Sequence, residues 1–206
     1  MSTRSHWSPR YVFDKARAAL YEWTHPDYPW LTRQANRLLE EWLRPSHVGL
    51  EWGSGRSTAW IAHRVAALTS IEHDPAWFHR AQTTLARRGL KNVSLRLVDP
   101  RSPEYVAGAG EFPDGSLDFA LVDGLSERRD ACAGAVVTKI RPGGLLIVDD
   151  VHRYLPSGSR SPLALGPGSR PLTPLWEKLA SQIRDWPVTW TSDGVRDTAV
   201  WQRPIL

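Results

Sequence analysis

A chain of 206 residues, 41% hydrophobic and 23% charged, has the length of one ordinary domain and can bury a core, which excludes a second catalytic domain and a disordered or fibrous protein. The single cysteine, Cys132, excludes an intrachain disulfide framework and a cysteine-based zinc site. The 26 Lys and Arg against 22 Asp and Glu leave a net charge of +4, without a run of five basic residues, which argues against a dedicated nucleic-acid arm. No apolar run is long enough to span a bilayer, and Met1 to Arg10 is polar, so a soluble cytoplasmic protein with no secretory signal and no membrane partner is expected.

Val12, Ala16, Ala19, Leu20 and Trp23 recur at helical spacing and predict a short helix, broken by the turn His25-Pro26-Asp27-Tyr28-Pro29. Leu31, Ala35, Leu38, Leu39, Trp42 and Leu43 predict a second, amphipathic helix. From there strand and helix alternate. VGLEW reads as a first strand that ends in a glycine turn and passes into a helix from about Thr58 to Ala66. LTSIEHD is a second strand, followed by a helix over Pro75 to Arg88 that Gly89 closes. VSLRLVD, LDFALVD and GLLIVDD are strands three, four and five. A helix from about Glu127 to Ile140 joins the last two and ends at a turn, Arg141-Pro142-Gly143-Gly144. Repeated crossovers of this length imply a parallel sheet covered on both faces.

Between Val151 and Pro174 the composition shifts to Pro, Gly, Ser and Arg with no apolar period, and a loop of that length directly after a strand is expected to act as a lid presenting His152, Arg153 and Tyr154. Thr173 as N-cap and Pro174 then start a helix through Leu175, Leu179 and Ile183. Two strands around Asp193-Gly194 close the chain as a hairpin. The eleven tryptophans fall in nearly every element, and most are expected to pack in or against the core.

The stretch Gly49-Leu50-Glu51-Trp52-Gly53-Ser54-Gly55-Arg56-Ser57-Thr58 is the most informative one. It is an apolar strand with an acid at its end, two glycines two apart, and a helix start. Gly53 and Gly55 allow a tight turn and close approach to a ligand, and the free N–H groups at the helix start favour a carboxylate or phosphate. Thr58 stands where a dinucleotide fingerprint has its third glycine, which counts against NAD. Glu72 closes strand two, nineteen residues after Gly53, the distance at which such folds place an acid on ribose hydroxyls. Asp99, Asp123 and Asp149 end the next three strands, so acids gather at the edge where open parallel sheets bind ligands.

Four segments taken in order, LEWGSGRST, SIEHDPAW, LDFALVDG and RPGGLLIVDD, resemble the class I S-adenosylmethionine (SAM)-dependent methyltransferases, over about Val48 to Tyr154. The closing TSDGVRDTAVW hairpin is similar to that family's last two strands. Closer still is the likeness to an uncharacterised bacterial subgroup with an EWGSGRST turn and a VDG followed by Arg128, Arg129 and Cys132. The resemblance implies a Rossmann-like, doubly wound α/β sheet of seven strands in the order 3-2-1-4-5-7-6, the last antiparallel, with N-terminal helices. Residues 1–45 would form a helical cap, and residues 46–206 the SAM-binding domain with a 151–174 lid. It further implies that Gly53, Ser54, Gly55 and Ser57 hold the methionine end of SAM, with Glu51 near its ammonium. Glu72 would take the ribose, His73 would lie beside the adenine, Asp99 would face the adenine amino group, and Asp123 the methionyl ammonium or the acceptor. The acidic edge suits a sulfonium cation and would repel a pyrophosphate.

Methyl transfer from a sulfonium needs alignment and exclusion of water more than obligatory side chains. A hydroxyl acceptor also needs a base, for which Asp123, Asp149, Asp150 and His152 are the candidates. Related O-methyltransferases hold Mg²⁺ through acids that map onto Asp123, Asp149 and Asp150. Here, however, Asp123-Gly124 continues into Leu125-Ser126 rather than the usual third acid, which counts against metal dependence. Cys132 shares a helical stripe with Ala135, Val136 and Ile140 and reads as a buried structural thiol. His25 reads either as exposed or as closing over the ligand, and Arg196 either as solvated or as meeting an acidic substrate. The expected activity is methylation of a small-molecule acceptor at oxygen or nitrogen. The alternatives are a nucleic-acid methyltransferase, for which the Pro-Pro-aromatic and Pro-Cys motifs are missing, and a non-catalytic nucleotide-binding module.

Overall fold

The strands are β1 (Val48–Trp52), β2 (Ala67–Glu72), β3 (Val93–Leu97), β4 (Leu117–Val122), β5 (Ile140–Asp149), β6 (Val188–Ser192) and β7 (Asp197–Gln202), in a computed structural model that describes residues 8–205. They form one sheet in the order β3-β2-β1-β4-β5-β7-β6. Pairing is parallel from β3 through β5, and β7 runs antiparallel to both β5 and β6. The expected seven-stranded, doubly wound sheet is therefore the observed one. Trp7, and most of the Met1 to Arg10 stretch, lie outside the described residues.

The helices are α1 (Pro9–Thr24), α2 (Arg33–Trp42), α3 (Arg56–Ala62), α4 (Pro75–Arg87), α5 (Pro103–Ala107), α6 (Arg129–Val136) and α7 (Pro174–Gln182). Each of the starts that the sequence marks is capped as its chemistry requires. Thr173 accepts from Trp176 N–H ahead of Pro174, and Asp74 accepts from Ala76 and Trp77 N–H ahead of Pro75. One face of the sheet packs Leu31, Ala35, Leu39 and Leu43 against Trp60, Leu68, Phe119 and Ile147. The other packs Trp52, Tyr105, Cys132, Val136, Leu146 and Trp176. α1 buries no residue and is held at its end, where Arg196 donates to Glu22 at 2.6 Å.

Three elements differ from the expectation. The helix expected over Glu127 to Ile140 is α6 flanked by two 3-10 turns, Ser126–Arg128 and Val137–Lys139. The expected Arg141-Pro142-Gly143-Gly144 turn is instead the first part of β5, where the register against β4 shifts and Gly143 sits at φ 78°. α5 and the 3-10 turn Gly108–Glu111 fill a stretch with no apolar period. The tryptophans divide: Trp52, Trp60, Trp176 and Trp201 are buried, whereas Trp23 is 78% exposed on α1. Among the described residues no helix is long and apolar enough to cross a membrane.

Candidate active site

The chain must turn sharply where β1 meets α3, and the geometry there explains the glycine. Gly53 has φ 95°, and a Cβ on it would stand 2.6 Å from the carbonyl oxygen of Asp123 at the end of β4. Its N–H donates to Ile71 O, while Asp123 N–H donates to Trp52 O, so the turn is laced to β2 and β4 together. Glu72 completes the lacing. Its Oε2 accepts from Ser54 N–H at 2.6 Å, and its Oε1 accepts from the N–H groups of His73 and Asp74, each at 2.7 Å. A carboxylate offers about four lone-pair sites, so one on Oε2 remains for a ligand. Thr58 braces the turn from within, its hydroxyl accepting Gly55 N–H at 2.9 Å.

A cavity of about 240 Å³ opens above this turn, lined by Gly53 through Ser57, Glu72, His73 and Asp123, with Trp30 and Trp77 as side walls. The two indoles meet edge to face at 5.5 Å, and the Arg56 guanidinium lies 4.9 Å over Trp30. The sequence points to none of these three side chains, although Arg56 and Trp77 lie inside the motifs quoted above. Trp30 comes from the α1–α2 connection, and only the tertiary fold brings it here.

Of the expected site residues, the cavity wall gathers Gly53, Ser54, Gly55, Ser57, Glu72, His73 and Asp123. Glu51 lies beneath the turn instead, fully buried, with Oε1 accepting from Ser70 Oγ at 2.7 Å and Oε2 without a hydrogen-bond partner. Burial pushes its carboxyl up to about 7, against the pull of the Thr58, Ser70 and Ser57 hydroxyls. Asp99 is exposed past the end of β3, where it accepts from Arg101 N–H. Asp149 accepts from Thr198 Oγ1 at 2.6 Å, and Asp150 adopts a left-handed backbone with its carboxylate 3.5 Å from Arg153. Asp123, Asp149 and Asp150 thus have separate partners, and among the described residues no group of three His, Cys, Asp or Glu is arranged to hold a metal ion.

Arg129 ties the ends of β4 and β5 together. It donates to the carbonyls of Gly124, Asp123 and Asp149 and, at 2.8 Å, to Asp123 Oδ1. Burial pushes the Asp123 carboxyl up to about 6, helped by Asp150 and Glu72 and opposed by Arg129 and Arg196.

The remaining candidates are placed away from the cavity. His152 is buried with Nε2 3.1 Å from Pro162 O, and Tyr154 is buried and stacked on Trp176 at 5.0 Å, so neither is presented to a ligand. Burial pushes the Cys132 thiol up to about 12, which leaves it inert as a nucleophile. His25 stacks on Tyr21 at 4.3 Å. Arg196 is bound to Trp30 O and Glu22, and so fixes the wall residue Trp30 rather than standing in solvent.

A glycine turn, an acid on the next strand and a lined cavity at the carboxyl ends of a 3-2-1-4-5-7-6 sheet define the Rossmann-like methyltransferase architecture. Residues 50–151 match the model of a family described as a methyltransferase domain. Among solved structures, a Corynebacterium glutamicum protein superposes with a TM-score of 0.63 at 14% identity, covering 99% of this chain and 94% of that one. A methyltransferase from Geobacter sulfurreducens gives 0.57 at 18% identity, covering 96% and 90%. A putative methyltransferase from Streptococcus mutans, in complex with SAH, gives 0.55 at 9% identity, covering 82% and 95%. At these identities the superpositions establish the fold alone. No curated protein sequence matches the chain.

Proposed function

We propose that this chain transfers the methyl group of SAM to a small-molecule acceptor at oxygen or nitrogen. The observation that carries the reading is the cavity itself. It is enclosed by two indoles, has a backbone-lined glycine turn as its floor, and carries Glu72 and Asp123 as its acids. Such a surface complements a cationic ligand that bears ribose hydroxyls. The fit to SAM rests on the lone pair left on Glu72 Oε2, which would take a ribose hydroxyl, and on Gly53 and Gly55, which would leave the backbone bare beneath the methionine end. Ser57 would sit at the same end, His73 and Asp99 on the adenine side, and buried Glu51 would act on the ammonium through the turn.

Bound SAM supplies an electrophilic methyl on a sulfonium. The chain's part is to align the acceptor, exclude water and receive a proton. Of the candidate bases, Asp123 alone lines the cavity wall. Arg129 holds its Oδ1, which leaves Oδ2 for the acceptor, and a carboxyl raised to about 6 is a stronger base than a solvated aspartate. Trp30 and Trp77 form the apolar wall.

A transfer screen with labelled SAM against hydroxyl, amine and phosphorylated small molecules tests the reading, preceded by titration with the demethylated product, SAH. Quenching of tryptophan fluorescence by SAH, reduced in Trp30→Phe and Trp77→Phe, is expected. Absence of SAH binding in the wild type would reject the reading.

A further inference from the structure

A second cavity, of about 170 Å³, lies on the other side of Gly55, between α3, α4 and the Pro26-Asp27 turn. Its rim carries four arginines, Arg56, Arg80, Arg87 and Arg88, and one acid, Asp27. Asp27 is already paired with Arg88. Among the described residues Arg56, Arg80 and Arg87 form no close ion pair, so the cavity carries an excess of positive charge in a chain whose net charge is only +4.

Two of these guanidiniums are fixed rather than free. Arg56 lies 4.9 Å over the Trp30 ring and Arg80 lies 5.0 Å over Trp77, on the pair of indoles that meet edge to face. Stacking lowers the entropy that a planar donor loses on binding. Arg56 Nη1 is out of solvent contact and has no hydrogen-bond partner. A buried N–H without an acceptor carries a desolvation cost that a bound anion would remove. The floor between the helices is Ala59, Ala81 and Thr84, small side chains that leave room for a compact group.

We propose that this cleft binds a phosphate group, and that the phosphate belongs to the small-molecule acceptor. This rests on the methyltransferase reading given above. Several guanidinium forks converging on one small space suit a dianion with three acceptor oxygens better than a single carboxylate. The cleft is smaller than the cavity above the glycine turn and suits one compact end of a molecule. Gly55, Arg56 and Trp77 line both this cleft and the SAM cavity, so a phosphate held here lies next to the cofactor site. A polynucleotide backbone would call for a basic track beyond the cleft, and the sequence contains no basic run.

Calorimetric titration of the full chain with inorganic phosphate and with pyrophosphate at low ionic strength, with SAH titrated in parallel, tests the proposal. Phosphate is expected to bind the wild type and to bind at least tenfold more weakly to Arg80→Gln and Arg87→Gln. SAH affinity in Arg87→Gln should stay within threefold, and SAH and phosphate should bind together. The proposal is overturned by an undetectable phosphate affinity in the wild type, or by an affinity unchanged in both variants. Competition between phosphate and SAH would overturn it too, since the anion would then occupy the place of the methionine carboxylate. So would a single-stranded oligoribonucleotide that binds far more tightly than pyrophosphate and is lost in the same variants. Phosphate binding without SAH binding would instead reject the cofactor reading while leaving the anion site intact.

Discussion

Glu72 accepts the backbone N–H of Ser54 at 2.6 Å, which fastens the glycine turn after β1 to the end of β2. The same carboxylate accepts from His73 and Asp74 N–H, so it organises the cavity before any ligand arrives. The nineteen-residue spacing that marks Glu72 as a ribose acceptor therefore marks a structural keystone as well.

Glu72→Ala should accordingly lose both. One buried and two part-buried N–H groups would lack their acceptor, at a cost of about 1 to 3 kcal/mol or more, which for a chain of this size lowers Tm by roughly 2 to 4 °C per kcal/mol. SAH affinity should fall about tenfold or more. Calorimetry and thermal melting read the two effects separately. A variant that melts like the wild type would remove the keystone role, and one that binds SAH normally would remove the ribose role.

The two glycines of the turn should respond differently to alanine. Gly53→Ala puts a methyl 2.6 Å from Asp123 O at a positive φ, so the turn itself must shift, with loss of stability and of SAH binding together. Gly55 has ordinary room on the protein side, its nearest neighbour being Trp77 at 3.8 Å. Gly55→Ala should melt within a few degrees of the wild type, whereas Gly55→Val should fill the ligand's approach and abolish SAH binding. Equal melting of the Gly53 and Gly55 alanine variants would contradict this account.

Glu51 gives the chain a pH dependence of known sign. Its carboxyl rises from an unfolded value of 4.5 to about 7 in the fold, so the unfolded state releases the proton first. The stability that the protonated form confers is complete below about 4.5 and is lost as pH rises through about 7, on the order of 3 kcal/mol in all. Glu51→Gln should flatten the stability profile between pH 5 and 8 and make the variant the more stable protein at pH 8. Urea unfolding at both pH values checks it, and parallel profiles for the two proteins would refute it.

The sequence exposes those parts of the fold whose signal is local. The strands, the helices over 9–24, 33–42 and 75–87, and the final hairpin each carry their own period or cap. So do the floor and acids of the site, because the glycine turn, Glu72 and Asp123 sit at strand ends. Trp30, Arg56 and Trp77 stay hidden because they converge from three segments, and a side wall made that way leaves no spacing to read. α5 has five residues, too few to show a helical period. Arg129 is visible only as part of a resemblance, since its partners are mostly backbone carbonyls, which no side-chain pattern announces. The position of His152 and Tyr154 after β5 points to the acceptor, yet His152 is buried against Pro162 of its own loop and Tyr154 against Trp176 of α7.

That loop, 151–174, buries Val151, Tyr154 and Leu155 in the core at its start, and polar contacts hold its middle. Ser159 and Ser161 both donate to Asp197 Oδ1, at 2.9 and 2.6 Å, while Trp190 Nε1 donates to Oδ2. Burial alone would raise the Asp197 carboxyl, but the hydrogen bonds from Ser161, Ser192, Trp190 and Ser159 prevail and hold it below its ordinary value. Its stabilising contribution is present above the unfolded value and is lost as pH falls through the lowered one. A lid must release such a latch to open, so Asp197→Ala should free the loop without touching the cofactor cavity. Trypsin should then cut after the exposed Arg160 at least several-fold faster than in the wild type, with SAH affinity unchanged. In the wild type, SAH together with an acceptor should slow that cut if the segment closes over the site. Cleavage indifferent to Asp197 would show that the loop is held by its buried residues, Tyr154 and Leu155 among them, and that the serine contacts do not latch it.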